Sequence, residues 1–377
     1  MGRSPRSAGL ARLDSAGRFP VQVVLPRPEE GAAEHPRRST DAKGRVMTTS
    51  PPLGPLRFEP ILKRLIWGGR RLGSVLGKPI GPESDYAESW EIADHRHGQS
   101  LVADGPLAGT SLHELVRSRG AELLGPATAP RSQFPLLVKF IDAHQVLSVQ
   151  VHPDDEQGRR LADDNGKNES WVVIAAEPGS TIFAGLKDGV TRPRFAEALE
   201  HGRVEELLHA FEPKPGDCIH IPAGTVHAIG AGVMLAEVQQ MSDATFRVFD
   251  WGRVGPDGKP RPLHIAEALE VTDFSQGPVG PVRTQPEPVE GGVLEHLVRC
   301  PYFWLSRLRL SGQATVGDPD GARFTALIGL GGAATVRSGG ESYRVGFGQT
   351  LLLPASIGAC PISPEGGAAM ILTCSVP

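Results

Sequence analysis

From Phe58 onwards the chain alternates short apolar runs with turns that are rich in glycine and proline. Apolar runs of about four to eight residues between such turns are typical of β-strands. The pattern predicts strands at 134–141, 145–151, 170–175, 181–184 and 218–221, and again at 294–310, 324–330 and 343–353. The protein is therefore predicted to be mainly β.

Two segments show helical periodicity instead. One is predicted to be a helix over 192–210, because Pro193 suits a first turn and apolar residues recur close to a helical period, at Phe195, Leu199, Val204, Leu207 and Leu208. A shorter helix is predicted at 111–119. Both would be insertions in a β fold.

Composition divides the chain into segments. Residues 1–46 are rich in Arg, Pro, Ser and Ala, and we expect them to be a disordered extension, with Met47 as an alternative translation start. Residues 275–290 are rich in Pro, Gly and Gln without periodicity, which predicts a linker. The linker would separate a catalytic domain at 47–274 from a second β domain at 291–377.

A faint repeat relates these two domains. Gly216 and Gly348 each begin a turn that is followed by a short apolar strand and then by a proline. In the first domain the pattern G-D-x4-P-x-G-x2-H ends at His227, whereas Ala359 stands at the corresponding place in the second. This pattern resembles the second motif of the cupin superfamily. It predicts two cupin-type jelly-roll β-barrels with a helical insertion in the first and no metal in the second.

Charge and cysteine content limit the classes of partner. A net charge of −4 argues against a nucleic-acid surface, which needs a basic face. No apolar run reaches the roughly 18 residues of a membrane span. The four cysteines form no C-x-x-C pair, so neither a disulfide framework nor a thiolate metal site is indicated. We expect a soluble, cytoplasmic protein.

Candidate metal ligands lie on the predicted strands. Gln150 and His152 are two residues apart, so their side chains share one face of a strand, and Ser148 falls on the same face. Glu169 directly precedes another apolar strand. Gln150, His152, Glu169 and His227 together match the donor types of a catalytic zinc site. Fe²⁺ accepts the same ligand types and is not distinguished by the sequence.

Several long motifs agree with a known family in its order: IWGGRRLG, AESWEIADH, PLLVKFIDAHQVLSVQVHPDD, PAGTVHAIG and AEVQQMSDATFRVFDWGR. With these motifs the chain resembles the type I mannose-6-phosphate isomerases, in their short bacterial form, from about residue 62 to 272. The resemblance implies an aldose–ketose isomerase with one zinc ion held by Gln150, His152, Glu169 and His227. One departure is Gly166-Lys167-Asn168-Glu169, where longer members carry His-Lys-Pro-Glu.

The resemblance also implies functional cations. Arg247 would be an active-site residue, although a salt bridge to Asp243 is an alternative, and Lys167 would lie near the substrate. Lys139 and Glu237 are charged residues inside apolar strands, which is costly unless they are paired or face a cavity. We predict catalytic roles for Arg247, Lys167 and Glu237, and substrate binding by Lys139, Ser148 and Asp243.

The predicted reaction interconverts mannose 6-phosphate and fructose 6-phosphate through a cis-enediol. Its partner would be a small phosphorylated hexose, with no nucleic acid and no membrane, and the chain would be a monomer or a homodimer. Two alternatives remain at this point, a cupin Fe²⁺ dioxygenase and a non-enzymatic sugar-binding cupin. The other histidines, including His95 and His97, are expected at ordinary surface or core positions.

Overall fold

A computed structural model of the protein describes residues 39–40, 46–47, 52–128, 130–255 and 258–377. It divides into two units, Met1–Ser50 and Pro51–Pro377. In the first, β1 (Ser39–Thr40) pairs with β2 (Val46–Met47). The rest of the segment predicted to be disordered, within residues 1–46, lies outside the described residues.

The larger unit begins with two antiparallel sheets that face each other. The six-stranded sheet has the order β12-β9-β14-β7-β4-β3, and the five-stranded sheet has the order β11-β10-β13-β8-β15. Their bounds are β3 Ile61–Gly69, β4 Tyr86–Ile92, β7 Leu136–Ala143, β8 Val149–Val151, β9 Glu169–Ala176, β10 Ile182–Leu186, β11 Leu208–Phe211, β12 Cys218–Ile221, β13 His227–Ile229, β14 Val233–Gln240 and β15 Phe246–Phe249. A short hairpin, β5 (Asp94–His95) and β6 (Gly98–Gln99), follows β4.

The second part of this unit is one eight-stranded antiparallel sheet that folds around its own apolar core. It folds back because β20 changes register at its glycines and pairs with β22 at one end and with β21 at the other. The strands are β16 Glu287–Val289, β17 Gly292–Arg299, β18 Trp304–Leu310, β19 Ala314–Val316, β20 Thr325–Ser338, β21 Glu341–Gly346, β22 Thr350–Leu353 and β23 Cys360–Ser375.

The repeat seen in the sequence has a structural counterpart. Gly216 and Gly348 both have positive φ, at 92° and 72°, and each turn leads into a four-residue strand, β12 or β22. A glycine is favoured at both places because other residues rarely adopt this conformation. β12 and β22 are therefore each preceded by the same kind of turn, but only the segment after β12 continues to a histidine.

The helices are α1 Arg71–Ser74, α2 Leu112–Leu124, α3 Asp155–Ala162, α4 Arg192–Glu200 and α5 Ile265–Val271. The prediction of one helix over 192–210 is wrong beyond Glu200. Gly202, at φ 65°, ends that helix, and the apolar residues that follow form a 3₁₀ turn (Val204–Leu207) and β11. Helix α2 has a break at its predicted end, Arg119 (φ −138°, ψ 28°), and a further helical turn follows that buries Leu123 and Leu124. No helix in the described ranges has the length and hydropathy to cross a membrane.

The predicted linker lies against both parts of the larger unit. Val279 and Val282 donate main-chain hydrogen bonds to Ala184 and Cys218, and β16 lies within the segment. The domain boundaries therefore stay a prediction, since 52–377 packs as one unit. Its largest apolar core combines residues of the six-stranded sheet and of the later strands, with Phe134 on Phe324 at a centroid distance of 4.6 Å.

Replacing Phe134 by alanine tests whether this core is shared. Phe134 is fully buried, so Phe134→Ala should lower the free energy of unfolding by about 3–5 kcal/mol. Urea unfolding followed by tryptophan fluorescence and by circular dichroism should show one transition at lower urea. Val254→Ala, at a side chain that is 57% exposed, is the control and should change little. Two transitions, of which only one moved, would contradict a shared core.

Candidate active site

A cavity of about 460 Å³ lies between the six-stranded and five-stranded sheets. It brings together the predicted site residues from distant parts of the chain. All of them except His152 and His227 line it, namely Lys139, Ser148, Gln150, Lys167, Glu169, Glu237, Asp243 and Arg247. The two histidines are buried and contact Glu169.

Three of the predicted metal ligands form a compact cluster at the junction of the two sheets. Glu169 begins β9 of the six-stranded sheet, His227 begins β13 of the five-stranded sheet, and His152 follows β8. His152 Nε2 lies 3.3 Å from Glu169 Oε2, and His227 Nε2 lies 3.4 Å from Glu169 Oε1. Gln150 on β8 is the direct cross-strand neighbour of His227. Strands of both sheets thus bring these residues together from distant parts of the chain.

Main-chain carbonyls orient both imidazoles. His152 Nδ1 donates to Ala244 O and His227 Nδ1 donates to Thr225 O, each at 2.9 Å. Because a carbonyl only accepts, the proton of each neutral ring is on Nδ1 and the lone pair of Nε2 faces Glu169. Burial lowers the pKa of both rings, that of His227 to about 3, so both are neutral near pH 7.

Glu169 supplies the negative charge of the cluster. Burial would raise the pKa of this carboxyl group, but the neighbouring Lys167 ammonium holds it well below its usual range. Lys167 Nζ lies 2.6 Å from Glu169 Oε2 and 2.8 Å from His152 Nε2, so the cluster already attracts a cation. The buried His227 Nε2 has no hydrogen-bond partner among the described residues. Two imidazole nitrogens and a carboxylate arranged in this way fit a divalent metal ion.

A row of charged and aromatic side chains crosses the six-stranded sheet beside the cluster. Trp90, Lys139, Glu237 and Trp171 are successive cross-strand neighbours on β4, β7, β14 and β9. Lys139 Nζ lies 3.2 Å from Glu237 Oε1 and 3.5 Å from the carboxylate of Glu88. The indole of Trp171 donates to Glu237 at 3.0 Å. Lys139 and Glu237 are therefore paired with each other.

The pKa values in this row follow from burial and pairing. Burial and the negative charge of Glu169 raise the pKa of Glu237 to about 7, although Lys139 opposes the shift. Burial alone would lower the pKa of Lys139, but the carboxylates of Glu237 and Glu88 raise it, so this side chain stays charged. Glu237 is thus a buried acid that titrates near neutral pH.

Arg247 lies on the opposite wall, on β15, as the cross-strand neighbour of Gln150. Its Nη1 donates to Pro262 O at 2.9 Å, and its buried Nε has no hydrogen-bond partner within the described parts of the chain. The alternative of a salt bridge to Asp243 is not found there. Asp243 instead contacts His97 Nδ1 at 2.8 Å. Ser148 is buried and lines the cavity just before β8.

Sequence reasoning missed Glu88, His97, Lys63 and Arg261, which also line the cavity. Glu88 had the same signal as Lys139, a charged residue inside an apolar strand. His97 was expected at an ordinary position, but it lies at the cavity edge beside His95, with their ring centroids 4.8 Å apart. No local pattern indicates His97, because the hairpin of β5 and β6 places it there.

A comparison of two histidines from one motif tests the metal cluster. His227→Asn should remove most of the divalent metal, measured by elemental mass spectrometry after dialysis. His220→Asn should keep about one ion per chain, because His220 Nδ1 is held by the Ser170 hydroxyl at 2.9 Å and its ring contacts Phe303. Equal metal content in two folded variants would rule out His227 as a ligand.

Residues 56–173 match the family described as phosphomannose isomerase type I, catalytic domain. The chain is 36% identical over 309 residues to the probable mannose-6-phosphate isomerase GmuF of Bacillus subtilis, covering 81% of this chain and 94% of the relative. It is also 36% identical over 313 residues to mannose-6-phosphate isomerase ManA of the same organism, covering 83% and 95%.

The crystal structure of the mannose 6-phosphate isomerase from Bacillus subtilis has a TM-score of 0.78 and 29% identity, covering 85% of this chain and 99% of that chain. This match confirms the predicted fold class, mainly β with cupin-type jelly rolls. The chain belongs to the type I mannose-6-phosphate isomerases.

Proposed function

We propose that this protein interconverts mannose 6-phosphate and fructose 6-phosphate. The observation that carries the proposal is a buried His152–Glu169–His227 cluster in the same cavity as Glu237, a carboxyl group whose pKa is near 7. An aldose–ketose isomerase needs a site for the C1 and C2 oxygens and a group that moves a proton between these carbons. The cavity offers both.

Zinc is the metal we propose, one ion per chain, with Gln150, His152, Glu169 and His227 as ligands. The donors support this choice, because neutral imidazoles and a carboxylate are common in catalytic zinc sites. Fe²⁺ takes the same donors. When bound, a divalent ion polarises substrate oxygens and lowers the pKa of bound water from about 15.7 to about 7.

We propose that Glu237 and Lys167 move the proton. With mannose 6-phosphate, a carboxylate removes the proton at C2 of the opened sugar and leaves a cis-enediolate with its charge on O1. Transfer of the O2 proton to O1, and return of the first proton from the carboxyl group to C1, then give fructose 6-phosphate. A pKa near 7 lets Glu237 both accept and return a proton at neutral pH. Lys167, beside Glu169 and His152, is placed to hold a proton near the substrate oxygens.

The remaining predicted residues would bind and orient the sugar. Arg247, with an unpartnered Nε in the cavity wall, is suited to stabilise negative charge on the enediol oxygens. Lys139 holds Glu237 in place and, with Ser148 and Asp243, lies where sugar hydroxyls would bind. A cytoplasmic location and a monomeric or homodimeric state remain expectations from the sequence.

A coupled assay for fructose 6-phosphate tests the proposal directly. Purified protein should convert mannose 6-phosphate, lose this activity after chelation and regain it when zinc is added. Adding Fe²⁺ instead, under anaerobic conditions, tests the metal. A folded, zinc-loaded protein that leaves mannose 6-phosphate unchanged would refute the proposed reaction.

The pH dependence of kcat/KM tests the role of Glu237. Below pH 7 its carboxyl group is protonated and cannot accept the C2 proton, so the rate should rise as pH increases through about 7. Glu237→Gln should remove this limb and lower kcat by roughly 10²–10⁴-fold. Metal content, measured on the same samples, should not change. An unaltered pH profile in Glu237→Gln would exclude Glu237 as the base.

A further inference from the structure

The proposed substrate carries its reacting carbons and its phosphate at opposite ends. Isomerisation takes place at C1 and C2, near the cluster of His152, Glu169 and His227, whereas the phosphate is on C6. A group that binds the phosphate must therefore lie away from that cluster, at the other end of the cavity. Phosphate recognition in proteins depends on cations with free N–H donors.

Most cations of the cavity are already engaged. Lys167 contacts two members of the metal cluster, and Lys139 lies between Glu237 and Glu88. Arg261 pairs with Asp250 through two nitrogens. Arg247 is the direct neighbour of the proposed ligand Gln150, at the reacting end.

Lys63 differs from Lys167, Lys139 and Arg261 in its lack of a carboxylate partner in the part of the chain that the structure describes. It differs from Arg247 in that its strand, β3, is not adjacent to the strand of the proposed ligand Gln150. It lines the same cavity, and no carboxylate of the described residues lies within salt-bridge distance of its ammonium. Glu88 is its direct cross-strand neighbour, but the carboxylate of Glu88 accepts from Trp90 Nε1 at 2.6 Å and faces Lys139. The position therefore provides a positive charge without an internal counter-charge.

The ammonium of Lys63 is held in place by two contacts. Nζ donates to His97 O at 2.6 Å and lies 4.4 Å from the centroid of the Trp90 ring. An ammonium has three N–H donors, so two remain for a ligand. A half-buried lysine that is oriented in this way loses less side-chain entropy on binding than a free surface lysine does.

The sheet places Lys63 away from the metal cluster. It lies on β3, the edge strand, and β4, β7 and β14 separate it from β9, where Glu169 begins. Lys63 and Glu169 nevertheless line one cavity. A ligand in that cavity can therefore have one end at the cluster and the other towards the edge strand.

We propose that Lys63, positioned by the main-chain carbonyl of His97 and the ring of Trp90, binds the phosphate of the substrate. This inference rests on the proposed function for the choice of ligand. It assigns the reacting end of the sugar to the metal cluster and the phosphate end to the edge strand.

Binding of a non-reacting pair of ligands tests the subsite. Mannitol 6-phosphate and mannitol, titrated by calorimetry into the zinc-loaded protein, differ only in the phosphate. Lys63→Met should weaken binding of mannitol 6-phosphate by roughly 10- to 100-fold, because a charge-assisted hydrogen bond is lost, and leave mannitol binding unchanged. With mannose 6-phosphate, KM should rise by a similar factor while kcat changes little.

Two further variants control for charge and folding. Lys63→Arg keeps the charge and should retain most of the preference for the phosphorylated ligand. Lys187→Met removes an exposed lysine that also donates to a main-chain carbonyl, Glu206 O, at 2.7 Å, and should behave as wild type.

The outcomes separate this inference from the proposed function. Wild-type affinity for mannitol 6-phosphate in Lys63→Met, or an equal loss for both ligands, would overturn the subsite even in an active isomerase. A protein that is inactive on mannose 6-phosphate but binds mannitol 6-phosphate through Lys63 would overturn the proposed reaction and support the subsite.

Discussion

The site depends on one buried carboxylate that remains charged. Glu169 is almost completely buried, and an isolated charge there would be very unfavourable. The Lys167 ammonium stabilises the charge, and the same charge then raises the pKa of Glu237 across the sheet. The proposed metal site, the proposed base and the position of Lys167 are thus coupled through a single residue. Any substitution of Glu169 would change all three, which makes it a poor probe of any one of them.

Strand register determines which side chains of the six-stranded sheet face the cavity and each other. Trp90, Lys139, Glu237 and Trp171 face the cavity because they are directly opposite one another on four adjacent strands. A slip of one residue in any of these strands would turn its cavity-facing side chain towards the apolar core on the other face. Opposite charges at adjacent positions, as in Lys139 and Glu237, favour the correct register over the shifted one. The residues proposed to act on the substrate therefore also help to specify the register of the sheet.

The sequence predicted those features that short-range patterns determine. Gln150 and His152 follow from the period of a strand and His227 from a turn motif, and the structure brings these residues to one site. Helix α4 was predicted too long, because 3₁₀ turns and strands can bury the same apolar residues once Gly202 has ended the helix. Lys63 was missed because it precedes Arg64, and either cation could face inwards. Only the pairing of β3 decides that Lys63 faces the cavity while Arg64 pairs with Asp85.

The eight-stranded sheet supports the site, although none of its described residues belongs to the metal cluster. Along β14, Met234, Ala236 and Val238 belong to the core shared with the later strands, while Leu235 packs in the core between the first two sheets. The later strands and helix α2 together cover the outer face of the six-stranded sheet. Covering it keeps the sheet dry on both faces, so that Glu237 on the inner face stays desolvated. Burial is the main cause of the raised pKa of Glu237. By covering the outer face, the eight-stranded sheet therefore helps to maintain a carboxyl group that titrates near pH 7. A sheet with an alanine, Ala359, in place of the histidine can thus still influence the environment of Glu237 in the six-stranded sheet.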